Sequence, residues 1–173
     1  LCACGSKADG GEAAWTVIPY MGRTLSGISL QPYTKPVDGA SLTYRFTTPE
    51  KTGGDTKEVK VHIIVKSTLD FLNKGGLTYS VALDGGGPQT VNFNKNLNEE
   101  GDNTYTVYYP TVARRVVESV VTLPLGTGHD GTHELVITPN DPGIVFEKIV
   151  VDMGGYKPSY LFMDASVKER TKP

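Results

Sequence analysis

His129 and His133 stand four residues apart with Asp130 between them. Zinc sites use that spacing when a helix brings both imidazoles to one face. The same stretch, Gly126-Thr127-Gly128-His129-Asp130-Gly131, fits the G-x-G-x-x-G pattern that seats a dinucleotide pyrophosphate on a helix N-terminus. Both chemistries need a helix at this point. Asp130-Gly131 predicts a turn instead, and residues 132–138 alternate apolar and polar as a strand does. Both patterns therefore read as a hairpin turn, and no third ligand lies near. Neither a metal site nor a cofactor is expected. His62 fits the solvated face of its own strand.

The carboxylates offer a second chemistry. A glycosidase needs two of them facing each other across a sugar, about 5–10 Å apart. Asp70, Asp84, Asp102, Asp130, Asp141 and Asp152 mostly fall in turns, where aspartate is favoured because it bonds to local backbone. The sequence holds no Gly-x-Ser-x-Gly elbow, Cys–His pairing or phosphate loop. Catalysis finds no support in these residues, and this chain alone is read as non-enzymatic.

The aromatic residues offer a third. Nine tyrosines and one tryptophan are present, several of them in loops. A sugar ring has apolar C–H faces that stack on an aromatic plane, while its hydroxyls reach polar neighbours. Trp15, Tyr20, Arg23, Tyr156, Lys157 and Tyr160 are the carbohydrate-binding candidates on that ground. The competing reading has most such rings filling the core or anchoring loops.

The elements that must carry these groups read as short strands. Residues 144–151 are apolar except for Glu147 and Lys148, are rich in β-branched side chains, and are bounded by Asp141-Pro142-Gly143 and Gly154-Gly155. That pattern predicts a strand buried on both faces, which requires a layer against each. Residues 58–66 place Val59, Val61, Ile63 and Val65 on one side and Glu58, Lys60, His62 and Lys66 mostly on the other. Residues 41–46 alternate likewise through Leu42, Tyr44 and Phe46. Residues 78–83 and 89–94, joined by Asp84-Gly85-Gly86-Gly87-Pro88, form a hairpin. Further strands are expected at 15–19 and 28–31, and at 116–123 and 132–138 as a pair. Leu69, Phe71 and Leu72 are expected to plug one end of the fold. Pro110 argues against a long helix at 104–115, leaving a short helix or an irregular crossover. The fold class is all-β: an antiparallel β-sandwich of jelly-roll or carbohydrate-binding-module type with at most one short helix.

With 173 residues the chain suits one domain. Residues 1–14 read as a linker or leader remnant, 15–163 as the sandwich, and 164–173 as a mobile basic tail. A net charge of −2 lacks the basic excess of a nucleic-acid binder. No apolar run is long enough to span a bilayer as a helix. Cys2 and Cys4 lie too close together to staple a core. Leu1-Cys2-Ala3-Cys4-Gly5-Ser6 resembles a bacterial lipobox, which would make Cys4 an acylated anchor of an exported protein. A ragged segment boundary is the plainer reading.

Residues 15–30 (WTVIPYMGRTLSGISL), 67–94 (opening STLDF) and 141–161 (DPGIVFEKIVVDMGGYKPSYL) resemble, in order, the C-terminal β-sandwich module of glycoside hydrolase family 115, the xylan α-1,2-glucuronidases. The resemblance implies a non-catalytic accessory module that contacts glucuronoxylan-type polysaccharide. It also implies that the catalytic carboxylates belong to a separate barrel-bearing region, so no catalytic residue carries over. Partners would be a polysaccharide or oligosaccharide, a catalytic glycosidase domain or a second copy, in an extracytoplasmic setting. The alternative is a structural or dimerisation module. The family's opening strand is replaced here by LCACGSK, so an edge strand is expected to be missing, leaving an edge open to pairing.

Overall fold

The computed structural model describes residues 5–48, 58–126 and 131–162. Ten strands run in chain order: β1 (Gly5–Ala8), β2 (Ala14–Pro19), β3 (Ser26–Gln31), β4 (Ser41–Thr47), β5 (Glu58–Lys66), β6 (Thr78–Leu83), β7 (Gln89–Asn92), β8 (Val116–Pro124), β9 (Thr132–Pro139) and β10 (Phe146–Asp152). They form two five-stranded antiparallel sheets, ordered β1-β4-β9-β6-β7 and β2-β3-β10-β5-β8. The expected sandwich is the observed one.

Period-two alternation explains the layering. Val59, Val61, Ile63 and Val65 of β5 face Leu42 of β4, Tyr79, Val81 and Leu83 of β6, and Leu135 and Ile137 of β9 across a shared core. The alternate positions of β5 point the other way. Among them Ile64 joins Val116, Val150 and Phe162 in a second, smaller cluster on the far side of the sheet. The chain after β10 folds back over that outer face, so β10 is covered on both sides as its composition predicts. Each fully buried aliphatic side chain here contributes about 1.5–3 kcal/mol.

Four expectations need correction. Residues 5–14 are not a linker: β1 pairs with β4 from Gly5↔Tyr44 to Ala8↔Ser41, and Gly10 and Ala13 bond to each other across a tight turn. The edge strand expected to be missing is therefore present. β8 and β9 do not pair, since β8 lies beside β5 and β9 lies between β4 and β6. The chain crosses from one sheet to the other between them. Leu69, Phe71 and Leu72 stay partly exposed, while Leu77 and Phe93 are buried in the core. The segment between β7 and β8 is a π-helical turn, Thr104–Tyr108, running into the short helix α1, Tyr109–Arg114. Cys4, His129, Asp130 and the basic tail lie outside the described residues.

Candidate functional site

A β-bulge in β10 organises the site. Phe146 pairs with Val65 and Lys148 with Ile64, so the register slips across Glu147. Phe146 enters the core and Glu147 is buried as well, only 1% exposed. Its Oε2 accepts the Arg23 backbone N–H at 3.0 Å, and its backbone oxygen accepts the Thr24 hydroxyl at 3.2 Å. A buried carboxylate thus anchors the β2–β3 loop. Burial pushes the Glu147 carboxyl up from its ordinary value, and the Arg23 N–H with the charges of Lys66 and Arg23 offsets this only in part.

The anchored loop presents Arg23 to the segment after β10. The guanidinium carbon lies 3.9 Å from the Tyr160 ring centroid and 4.9 Å from that of Phe162, and Nη2 donates to the Tyr160 carbonyl. Arg23 is in this way held between two aromatic rings, a favourable electrostatic contact in its own right. Around it Tyr20 is 93% and Tyr160 68% exposed, with Leu25, Lys157 and Leu161 also open to solvent. Lys148 Nζ donates to the Leu161 carbonyl at 3.3 Å.

Beside this lies a polar cluster under the same segment. His62 Nδ1 is 2.7 Å from Glu118 Oε1, and its Nε2 is 3.9 Å from Asp152 Oδ2. The Tyr156 ring packs on the His62 ring, centroids 4.5 Å apart. Asp152 Oδ1 accepts the Gly154 N–H and, more distantly, that of Tyr156. Burial, followed by the Glu118 and Asp152 charges, raises the Tyr156 hydroxyl above its ordinary value. Six buried side-chain polar atoms among the described residues make no hydrogen bond within the chain. Four of them gather here: Arg23 Nε, His62 Nε2, Glu147 Oε1 and Tyr156 Oη.

Of the six sequence candidates, Tyr20, Arg23, Tyr156, Lys157 and Tyr160 fall on the loop and segment just described. Trp15 does not. It is 5% exposed, tilted against Phe146 at 6.1 Å between centroids, and its indole N–H donates to Ala8 O at 2.8 Å. That makes it a core residue that ties β2 to β1, the competing reading of its type. Glu147 and His62 were not foreseen as site residues. The only sequence signal for Glu147 was an acid, beside Lys148, inside a mostly apolar run.

His133, Asp84, Asp70 and Asp141 bond to neighbouring strands and turns. His133 is buried, with Nδ1 2.8 Å from Asp84 Oδ2 and its ring stacked on Phe46. Burial opposes ionisation of Asp84, but His133 and the backbone N–H groups of Glu134 and Gly126 outweigh it and lower its pKa. Asp70 Oδ2 accepts the N–H groups of Lys74, Gly75 and Gly76, and buried Asp141 holds Lys74 and Thr78. Among the described residues no group of three or more histidine, cysteine, aspartate or glutamate side chains could hold a metal ion. None of their helices is long and apolar enough to cross a membrane.

The family model for the glycosyl hydrolase family 115 C-terminal domain matches residues 3–164. Among solved structures, a family GH115 4-O-methyl-α-glucuronidase, BtGH115A, described as specific for decorated arabinogalactans, superposes with a TM-score of 0.58 at 20% identity. That match covers 84% of this chain and 17% of the enzyme's. A family 35 carbohydrate binding module from Clostridium thermocellum superposes with a TM-score of 0.51 at 12% identity, covering 84% of this chain and 90% of the module. These likenesses show the fold. None of the curated proteins compared with the chain matches it.

Proposed function

The chain belongs to the glycosyl hydrolase family 115 C-terminal domains, and on that premise we propose that it is a non-catalytic carbohydrate-contacting module whose ligand is a glucuronoxylan-type polysaccharide. The observation that carries this reading is Arg23, fixed from below by Glu147 and flanked by the Tyr160 and Phe162 rings. Open aromatic faces at Tyr20 and Tyr160 offer stacking surfaces for pyranose C–H faces. Arg23 and Lys157 supply the positive charge that a uronate carboxylate seeks. The solved glucuronidase and the binding module of similar fold support a saccharide ligand and a catalytic partner region. An exported setting, with Cys4 acylated, belongs to the same proposal.

Calorimetry against glucuronoxylan, unsubstituted xylan and arabinogalactan tests it. Tighter binding to the uronate-bearing polymers, weakened by Tyr20→Ala and Tyr160→Ala, is expected. A folded protein that binds none of them contradicts it.

A second reading, a structural module packed on a catalytic domain or on another copy, is favoured by one observation. At the end of the sandwich where the β3–β4, β5–β6 and β9–β10 connections meet, Tyr33, Leu69, Phe71 and Leu72 are all exposed. Tyr33 meets Phe71 edge-on at 5.9 Å, and the Phe71 ring lies so close to Gly143 that a Cβ there would come within 2.4 Å of it. Such a rigidly mounted apolar patch suits a protein interface. Light scattering that shows a strict monomer, and no association with a family catalytic region, would remove this reading.

A further inference from the structure

The eleven residues Thr104–Tyr108 and Tyr109–Arg114 contribute no buried side chain. A helix normally turns its apolar stripe inward. Here Tyr105, Tyr109 and Val112, spaced as one helical face, are 78%, 52% and 49% exposed. The Tyr105 and Tyr109 rings lie 5.8 Å apart and those of Tyr108 and Tyr109 5.7 Å apart, so the tyrosines form one aromatic ridge. From Asn103 to Ala113 no side chain is charged. Charges appear only at the ends, Glu99, Glu100 and Asp102 before the ridge and Arg114 and Arg115 after it. A π-helical turn is a costly local geometry that recurs at functional sites.

The ridge adjoins the candidate site. Arg115, which closes α1 in the left-handed conformation, has its carbonyl held by Lys66 Nζ at 3.3 Å. The next residue, Val116, packs in the same small cluster as Phe162, whose ring supports Arg23. A small buried cluster therefore links the segment that follows the tyrosines to the one that supports Arg23.

We infer that the Tyr105–Tyr109 ridge is a second saccharide subsite, one that takes neutral pyranose units, while the Arg23 patch takes the acidic decoration. This rests on the carbohydrate reading above. The chemistry separates the two surfaces. Tyrosine faces stack on sugar C–H groups, and the exposed hydroxyls of Tyr105 and Tyr109 bond to sugar hydroxyls without selecting charge. The 5.8 Å between the two exposed rings, Tyr105 and Tyr109, suits neighbouring sugar units along one chain.

The test is calorimetry of the whole chain with two probes, unsubstituted xylohexaose and a glucuronic-acid-decorated xylo-oligosaccharide. The variants are Tyr105→Ala/Tyr109→Ala, the milder Tyr105→Gln/Tyr109→Gln, and Tyr20→Ala/Tyr160→Ala. Because neither Tyr105 nor Tyr109 is a buried residue, the ridge variants should melt close to the wild type. The ridge variants are expected to lose binding of xylohexaose by about tenfold or more. Tyr20→Ala/Tyr160→Ala should instead lose mainly the preference for the decorated probe. Wild-type binding of both probes with no loss in either ridge variant overturns the inference and leaves the carbohydrate reading standing. Absence of binding by the wild type overturns both. Loss of self-association in the ridge variants, with sugar binding unchanged, would assign the ridge to a protein contact instead and overturns the inference as well.

Discussion

Gly22→Ala tests the construction of the site at its tightest point. Gly22 has φ +71°, and a Cβ there would stand 1.9 Å from Glu147 Oε1 and 2.2 Å from Oε2. The left-handed backbone alone costs a non-glycine residue about 1–2 kcal/mol. A carboxylate on a solvated side chain would swing away cheaply, but Glu147 is buried and pinned by the Arg23 N–H. Moving it strands buried polar groups, worth about 1–3 kcal/mol more. The sum is about 3 kcal/mol, which for a domain of this size lowers the melting temperature by about 6–12 °C. Scanning calorimetry measures it, with Glu147→Ala and the double variant closing a thermodynamic cycle. The two substitutions should couple by at least about 1 kcal/mol, since removing the carboxylate removes the clash. A Gly22→Ala protein melting within 2 °C of the wild type, by the same rule about 0.5–1 kcal/mol, or strict additivity with Glu147→Ala, refutes the anchoring argument.

Trp15→Ala should destabilise the fold by about 3–5 kcal/mol in urea unfolding, because it empties a core position and frees Ala8 O. Asp141→Ala leaves the Thr78 N–H and hydroxyl without their acceptor and should cost about 2–3 kcal/mol, read as a lower urea midpoint. The pH dependence of stability has two opposed parts. Glu147, with its folded pKa raised above 4.5, contributes stability that is full below that value and is lost as pH rises through the raised one. Glu147→Gln should flatten that loss. Asp84, lowered below 3.8, contributes stability present above that value and lost as pH falls through the lowered one, and Asp84→Asn should shrink this acid limb, which Asp70, also lowered, shares. Urea midpoints from pH 3 to 8 separate the two, within the range where such carboxylates titrate.

The sandwich was legible because alternation is a local signal: β4, β5, β6 and β10 each show their inward residues in sequence. What alternation does not carry is partnership. β8 and β9 are neighbours in sequence, yet each completes a different sheet, and nothing in either strand states which. β1 was missed because Gly-Ser-Lys-Ala has no apolar period, and its place depends on pairing with β4. Trp15 had the type of a sugar-binding residue, but its parity on β2 matched Leu30 and turned it inward. The bulge hid Glu147, since two consecutive buried residues break the rule that would have placed a charge on the solvent side. The convergence of Arg23 and Tyr160 was legible as composition only. Their meeting depends on the chain folding back after β10, which no local pattern announces.

Amide chemical-shift mapping during titration with a glucuronic-acid-decorated xylo-oligosaccharide addresses the proposed role most directly. Saturable shifts at Arg23, Glu147 and the residues around Tyr160 are predicted. A folded spectrum that stays unmoved, or shifts confined to the loops of Tyr33 and Phe71, would contradict it.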